Sequence, residues 1–381
     1  MPNFSDKTLH IVAFDVPWPA NYGGVIDVFH KIRHLKNSGV KVILHCFIYG
    51  ERGIATALND FCEEVHYYPR NTSILKQFSL IPFIINSRVS DKLLDRLSQD
   101  NHPILFEGLH SCFLLDHPQL KERFKIYRES NIEHRYYFHL AKATRHPGQK
   151  IFFIIESLRL KLFQRILKNA SLMLVVSEAD TQYLRTNFPK NDVHYLPSFH
   201  ANDEISSKPG KGVYFLYHGK LSVAENAVAA EYLIHKIFAG LHQKLIIAGM
   251  NPSEKLQKSC AMFENIELIA NPSEPEMDRL QRDAQAHVLL TFQATGLKLK
   301  LLNSLYKGRF CITNKAMLHG TGLNELCIIT DGDTELKSII QKTADLTFDE
   351  LQIKNRTLKL SGLYNNQHNT DSMLELIFQD V

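Results

Sequence analysis

The chain has 381 residues, 44% hydrophobic and 22% charged, which excludes disordered, collagenous and coiled-coil classes and suits two domains of about 150–200 residues. Forty-four Lys and Arg against forty Asp and Glu leave a net charge of +4, too mild to argue for nucleic acid. Six scattered cysteines (Cys46, Cys62, Cys112, Cys260, Cys311 and Cys327) have no metal-ligand spacing and read as buried reduced thiols of a cytosolic protein. The opening MPNFSDKTLH has no apolar signal-peptide core, and no apolar run reaches spanning length. The expectation is a cytoplasmic protein that at most lies on a membrane.

In chain order, Leu9–Asp15 reads as a buried parallel strand. A turn-rich PWPANYGG follows, then an amphipathic helix over Val25–Asn37 and a strand over Val40–Ile48. This β-loop-α-β opening predicts a doubly wound α/β domain. Further strands are expected at Glu64–Tyr68, Pro103–Glu107, Phe124–Arg128 and Ser171–Val176, and helices at Ser90–Ser98, Glu133–Ala143 and Gln149–Asn169. The polar, Pro- and Gly-bearing stretch around His194–Gly212 reads as a linker. A second series follows, with strands at Gly212–Tyr217, Lys244–Ala248, Ile266–Ala270, His287–Phe292 and Phe310–Thr313. Its helices are expected at Ala224–Phe238, Glu274–Ala284 and Leu297–Leu305, before a tail with a last helix within Ser361–Phe378. The fold class is therefore α/β, two Rossmann-like doubly wound domains whose strand ends face a central cleft. The division is 1–196, a linker 197–212, 213–360, and a C-terminal segment 361–381 that returns to the first domain.

Five strand ends carry candidate chemistry. Gly23 and Gly24, at a helix N-terminus, let backbone N–H groups approach an anion, though a plain β-α turn would carry the same glycines. Thr295-Gly296-Leu297-Lys298-Leu299-Lys300 places two lysines in the first turn of a helix, against its dipole, a placement that favours a bound diphosphate. Gly219-Lys220 stands just beyond another strand, with Asn226 expected to cap the next helix. Arg128-Glu129-Ser130-Asn131-Ile132-Glu133 offers a cation, an amide and carboxylates, or simply a helix start. Glu107 and His110 follow a fifth strand. No metal motif, nucleophile elbow or Walker loop is present in the sequence.

Together, NYGG, RESNIEHRYY, YHGKL with the following EN, TGLKLKLLNSLYKGR, HGTGL and the tail YNNQHN resemble the GT-B glycosyltransferases over nearly the whole chain. More narrowly, the chain is similar to a bacterial branch of the large retaining group-1/family-4 sugar transferases. The resemblance implies metal-independent, retaining transfer of a sugar from a nucleotide diphosphate-sugar to an acceptor hydroxyl, in cell-surface polysaccharide or lipopolysaccharide synthesis. The nucleotide sugar is the substrate and no further cofactor is implied. Donor binding falls on Gly23, Gly24, Gly219, Lys220, Thr295, Gly296, Leu297, Lys298, Lys300 and Asn303. Catalysis falls on Asn131, Glu133, Lys220 and Lys300, and the acceptor side on Glu107, His110 and Arg128. The sequence departs from the family at its Glu-x7-Glu pair, where Thr295 and Asn303 stand. A non-catalytic glycan- or partner-binding protein and a sugar-nucleotide epimerase on the same fold remain alternatives. The expected partners are a nucleotide sugar and a glycan or lipid-linked acceptor, with no nucleic acid.

Residues 121–170 hold twelve Lys/Arg and four Glu, a local excess of +8. On Gln149–Asn169, Arg159, Lys161, Arg165 and Lys168 alternate with apolar residues. Such a helix suits the anionic inner face of the plasma membrane. A core-facing helix with a solvated basic face fits the pattern equally well.

Overall fold

The computed structural model describes residues 4–50, 52–144, 146–292 and 299–378. The chain divides into two compact units at His200/Ala201 and again at Asn365/Asn366, so the first unit is built from both ends of the described chain.

The first unit holds a seven-stranded sheet: β1 (Thr8–Ala13), β2 (Lys41–Ile48), β3 (Glu64–Pro69), β4 (Ile104–Glu107), β5 (Lys125–Glu129), β6 (Leu172–Val175) and β7 (Asp192–Tyr195). Its spatial order is β3-β2-β1-β4-β5-β6-β7, with every neighbouring pair parallel. Both faces are covered, which is why its inner strands read as near-continuous apolar runs. Alternation along β1 sends Leu9, Ile11 and Ala13 into one core and Val12 into the other. The first core is closed by the helix Gly23–Asn37 and by Met373, Leu374, Ile377 and Phe378 of the helix Asn366–Phe378. The second takes Leu93, Leu97, Leu109 and Leu160.

Three histidines stack on the Val12 face. The His10–His45 and His45–His66 ring centroids are each 5.2 Å apart. His10 Nδ1 lies 2.9 Å from His45 Nε2, and His10 Nε2 lies 3.0 Å from Asp100 Oδ1. Burial lowers His10 to about 4 despite Asp100, and holds His45 well below its ordinary value.

The second unit holds a six-stranded sheet: β8 (Phe215–Lys220), β9 (Leu245–Met250), β10 (Ile266–Ala270), β11 (Ala286–Leu289), β12 (Phe310–Asn314) and β13 (Ile328–Thr330). Its order is β10-β9-β8-β11-β12-β13, also parallel throughout. Both sheets reverse their winding direction once, between β1 and β4 and between β8 and β11. Those switch points open crevices at the carboxyl ends of the strands.

The stretch expected as a linker is anchored. Phe199 is buried in the first unit and its N–H donates to Asp27 Oδ1 at 2.7 Å. Gly210 exchanges two backbone hydrogen bonds with Phe348 in the second unit. The expected helix Gln149–Asn169 is an α-helix over Pro147–Phe163 that tightens to 3₁₀ over Gln164–Asn169. Among the described residues, no helix is long and apolar enough to cross a membrane.

Candidate active site

In the second unit, β8 ends at Gly219-Lys220 and pairs in register with Gly249-Met250 of β9. A Cβ on Gly249 would collide with the Gly219 carbonyl, so the two strand ends can close up only because side chains are missing there. Lys220 is exposed at the tip. The next helix, Ala224–Tyr232, follows Val223 with no side-chain cap, so Asn226 does not cap it.

Asn226 has a different task. Its Nδ2 donates to the Lys220 carbonyl at 3.0 Å, while its Oδ1 accepts from Lys300 Nζ at 3.0 Å. Lys300 arrives from the first turn of the helix Leu299–Lys307, and its ammonium lies 5.2 Å from the centroid of the Tyr217 ring. One amide therefore gathers the backbone of one lysine and the side chain of another beside the β8–β11 switch point. Glu225 accepts from the Thr291 hydroxyl just after β11, and Asn314 Nδ2 donates to the Thr291 carbonyl at 2.7 Å, tying β11 to β12.

Beneath the lysines, Ser304 Oγ lies 2.8 Å from His287 Nδ1 and 3.1 Å from His218 Nε2. Burial lowers both imidazoles, His287 to about 4, so neither carries charge at neutral pH. Asn303 is half-buried, and its Oδ1 accepts from Asn202 Nδ2 at 2.8 Å. Thr295, Gly296, Leu297 and Lys298 lie outside the described residues.

In the first unit, Gly23 opens the helix Gly23–Asn37 after Tyr22, and a Cβ there would meet nothing within 4 Å. Gly24 is required for packing, because a Cβ would come within 2.5 Å of the Phe14 ring. Phe14 in turn lies 5.3 Å from the His110 ring. His110 Nδ1 sits 3.8 Å from Glu133 Oε1, too far for a hydrogen bond, and has no hydrogen-bond partner among the described residues.

Burial raises Glu133 to about 8, only partly offset by the Arg88 cation, and it lowers His110 well below its ordinary value with Arg88 and Arg70 adding to the effect. At neutral pH this pocket therefore holds a mostly protonated carboxyl beside a neutral imidazole. Arg88 is buried, donating from Nε to the Phe14 carbonyl at 2.8 Å. Asn131 is half-buried one residue before the Ile132 cap of the helix Glu133–Ala143.

Glu107 and Arg128 stand at strand ends, as the sequence reading placed them, but their side chains turn inward. Both are buried, inside a four-membered ion cluster with Asp27 and Lys31. Lys31 Nζ lies 2.6 Å from Glu107 Oε1 and 2.9 Å from Asp27 Oδ2, and Arg128 Nη2 lies 3.1 Å from Asp27 Oδ1. Arg128 also donates to the carbonyls of Leu196 at 2.6 Å and Pro197 at 3.0 Å. Burial pushes Asp27 up, but the Arg128 and Lys31 cations outweigh it and hold its carboxyl below the usual range. The cluster ties β4, β5, the helix Gly23–Asn37 and the segment after β7 together. Its charged groups are spent on one another, so neither Glu107 nor Arg128 is available to an acceptor.

Sequence reasoning missed Asn226 as a bridge, the Asp27–Lys31 half of the cluster and the Arg88 cation beside Glu133. The i,i+4 spacing of Asp27 and Lys31 was a usable signal for the second. Among the described residues, no group of three His, Cys, Asp or Glu could hold a metal ion.

No protein-family model matches the chain. A curated relative, an uncharacterized 44.6 kDa protein in the cps region of Klebsiella pneumoniae, is 23% identical over 359 residues, covering 88% of this chain and 91% of its own length. Among solved structures, sucrose-phosphate synthase from Thermosynechococcus elongatus matches with a TM-score of 0.70 at 12% identity, covering 98% of both chains. Anabaena HepE in complex with UDP and glucose matches with a TM-score of 0.68 at 10% identity, covering 98% of this chain and 100% of its own. At these identities the likeness concerns architecture: with two doubly wound parallel α/β units in one polypeptide, the chain has the GT-B fold.

Proposed function

We propose that the protein is a metal-independent glycosyltransferase that moves a sugar from a nucleotide diphosphate-sugar to an acceptor hydroxyl with retention, in capsular or related cell-surface polysaccharide synthesis. The observation that carries this reading is the Asn226 bridge, which collects Lys220 and Lys300 at the β8–β11 switch point. A diphosphate bound there would lie beside the Lys300 ammonium, with the exposed Lys220 on the adjoining strand end. As the bond from the sugar to the diphosphate oxygen breaks, negative charge grows on the leaving group, and preorganised ammonium groups lower that barrier. Lys298, with Thr295, Gly296 and Leu297, completes the donor site in this reading.

The first unit takes the acceptor. Glu133, holding its proton at neutral pH, donates a hydrogen bond, with Asn131 beside it and His110 accepting. A protonated carboxyl is no nucleophile, so a double displacement through Glu133 is not part of the scheme. The solved HepE complex with UDP and glucose and the cps-region relative support the donor class and the setting. The acceptor is a glycan or a lipid-linked sugar met at the inner face of the plasma membrane.

Calorimetry with UDP and a panel of nucleotide sugars, paired with a UDP-release assay with and without EDTA, tests the reading. Lys220→Ala and Lys300→Ala should each weaken nucleotide binding about tenfold or more, since a charge-assisted contact contributes about 1.5–3 kcal/mol. Unchanged affinity in both variants overturns the donor assignment, and activity that needs a divalent ion overturns metal independence. The departure at Thr295 and Asn303 favours a second reading, a GT-B-fold binding protein or an epimerase. Nucleotide binding without UDP release from any donor would select it.

A further inference from the structure

The first unit exposes large apolar side chains in one concentrated region. On the helix Pro147–Phe163, Ile151, Ile154, Ile155, Leu158 and Leu162 are 38% to 62% exposed. Their spacing of 3, 1, 3 and 4 puts them on a single stripe. The opposite face is the one that packs, through Glu156, Ser157 and Leu160. Phe138, on the neighbouring helix Glu133–Ala143, is exposed as well.

A second segment joins this stripe. Ile74, Leu75, Phe78 and Leu80 stand in and after a short 3₁₀ turn, and Phe78 and Leu80 are 80% and 92% exposed. The segment is clasped to the long helix. Arg159 Nη1 donates to the Gln77 carbonyl at 2.8 Å and pairs with Glu156 at 2.9 Å, while Glu156 accepts from the Phe83 N–H at 2.7 Å. The segment 77–83 is thus held alongside the helix by Arg159 and a buried carboxylate.

Charge settles what such a surface fits. Residues 134–177 contain one acidic side chain, Glu156, and it is buried; residues 69–90 contain none. Exposed cations do line the helices: Lys142, Lys150, Lys161, Arg165 and Lys168. Lys150 and Lys161 fall on one flank of the apolar stripe, four residues before and seven after Ile154. Apolar side chains that can enter an acyl layer, ringed by cations and free of exposed acid, match an anionic lipid leaflet.

We infer that the helix Pro147–Phe163 and the segment 74–80 form one docking surface for an anionic membrane, with Leu80 and Phe78 entering the acyl boundary and Lys150 and Lys161 meeting headgroups. This rests on the proposed membrane-bound acceptor and gives that contact its residues.

The test is flotation of the full chain with vesicles of phosphatidylcholine alone or mixed with phosphatidylglycerol. The protein should float with the anionic vesicles, and binding should fall steeply with salt. The exposed-site pair Phe78→Ser/Leu80→Ser should reduce binding about tenfold or more without lowering the melting temperature. Lys150→Gln/Lys161→Gln should weaken anionic binding and flatten its salt dependence. A protein that stays unbound at low salt, or a serine variant that binds as well as wild type, overturns the inference. So does a concentration-dependent dimer that the serine pair abolishes, which would make the surface a contact between copies. UDP calorimetry on the same samples separates the two claims: lost docking with intact UDP binding sinks the surface alone, and the converse sinks the transferase alone.

Discussion

The two switch points share a topology and differ in chemistry. Beside β8–β11, glycines stand near the ends of β8 and its neighbour β9, and a neutral amide holds the Lys220 backbone and the Lys300 ammonium. On β4 and β5, beside the β1–β4 switch point, the strand-end charges are turned inward, where Glu107 and Arg128 neutralise Lys31 and Asp27. A polar residue at the carboxyl end of a parallel strand therefore has two fates. It serves a ligand when its neighbours are small or neutral, and it serves the fold when a complementary charge reaches it from an adjacent helix. The helix Gly23–Asn37 supplies both Asp27 and Lys31, and that decides the outcome in the first unit.

The contrast breaks hardest at Asp27. Asp27→Ala leaves two buried cations with Glu107 alone, which should cost about 3–5 kcal/mol of stability. Urea unfolding should show a large drop in midpoint while UDP binding by the remaining folded protein stays at the wild-type level. A variant as stable as wild type would mean that the cluster carries no net stabilisation.

The next effect is on pH. His10 has an ordinary value of 6.5 and a folded value of about 4, so below the former the unfolded chain binds more protons than the folded one. Its contribution is complete above about pH 6.5 and lost as the pH falls toward 4, amounting to roughly 3 kcal/mol over that window. Buried His287 in the second unit, also lowered to about 4, adds the same trend there. Denaturation midpoints measured down this range should fall steadily. Flat stability would show that both imidazoles take up protons in the fold as they do in the unfolded chain.

The smallest effect expected is at Asn303. Its amide bonds to Asn202, so Asn303→Ala should cost about 1 kcal/mol of stability. If the residue also faces the ribose, the UDP dissociation constant rises; if affinity holds while stability drops, its role is confined to the Asn202 contact.

The central strands and the long amphipathic helices were legible because burial on both faces writes continuous apolar runs. Two strands escaped. β7, DVHY, is a four-residue edge strand in a polar neighbourhood, and β13 is only three residues long. Short edges leave too little periodicity to read. The helices Glu178–Asn187, Asp333–Asp345 and Glu350–Leu363 also went unread.

At the site, strand-end lysines could be read locally. The Asn226 bridge and the His110–Glu133 pocket depend on contacts between residues 23 to 74 positions apart, which no local pattern encodes. For the basic helix, sequence periodicity located an apolar stripe but not which stripe the rest of the fold would cover. Leu160 went inward and Leu158 did not.

The helix Asn366–Phe378 carries a consequence for biosynthesis. Its Met373, Leu374 and Ile377 fill the core under β1 and β2, yet the ribosome makes them after every residue of the second unit. The second unit is one uninterrupted stretch and can fold as soon as it emerges, whereas the first, although begun earlier, must keep that cavity open until the helix arrives. During that interval Leu9, Ile11 and Leu44 lack their cover. A nascent chain stalled before residue 366 should accordingly be a preferred client of chaperones that bind exposed apolar strands.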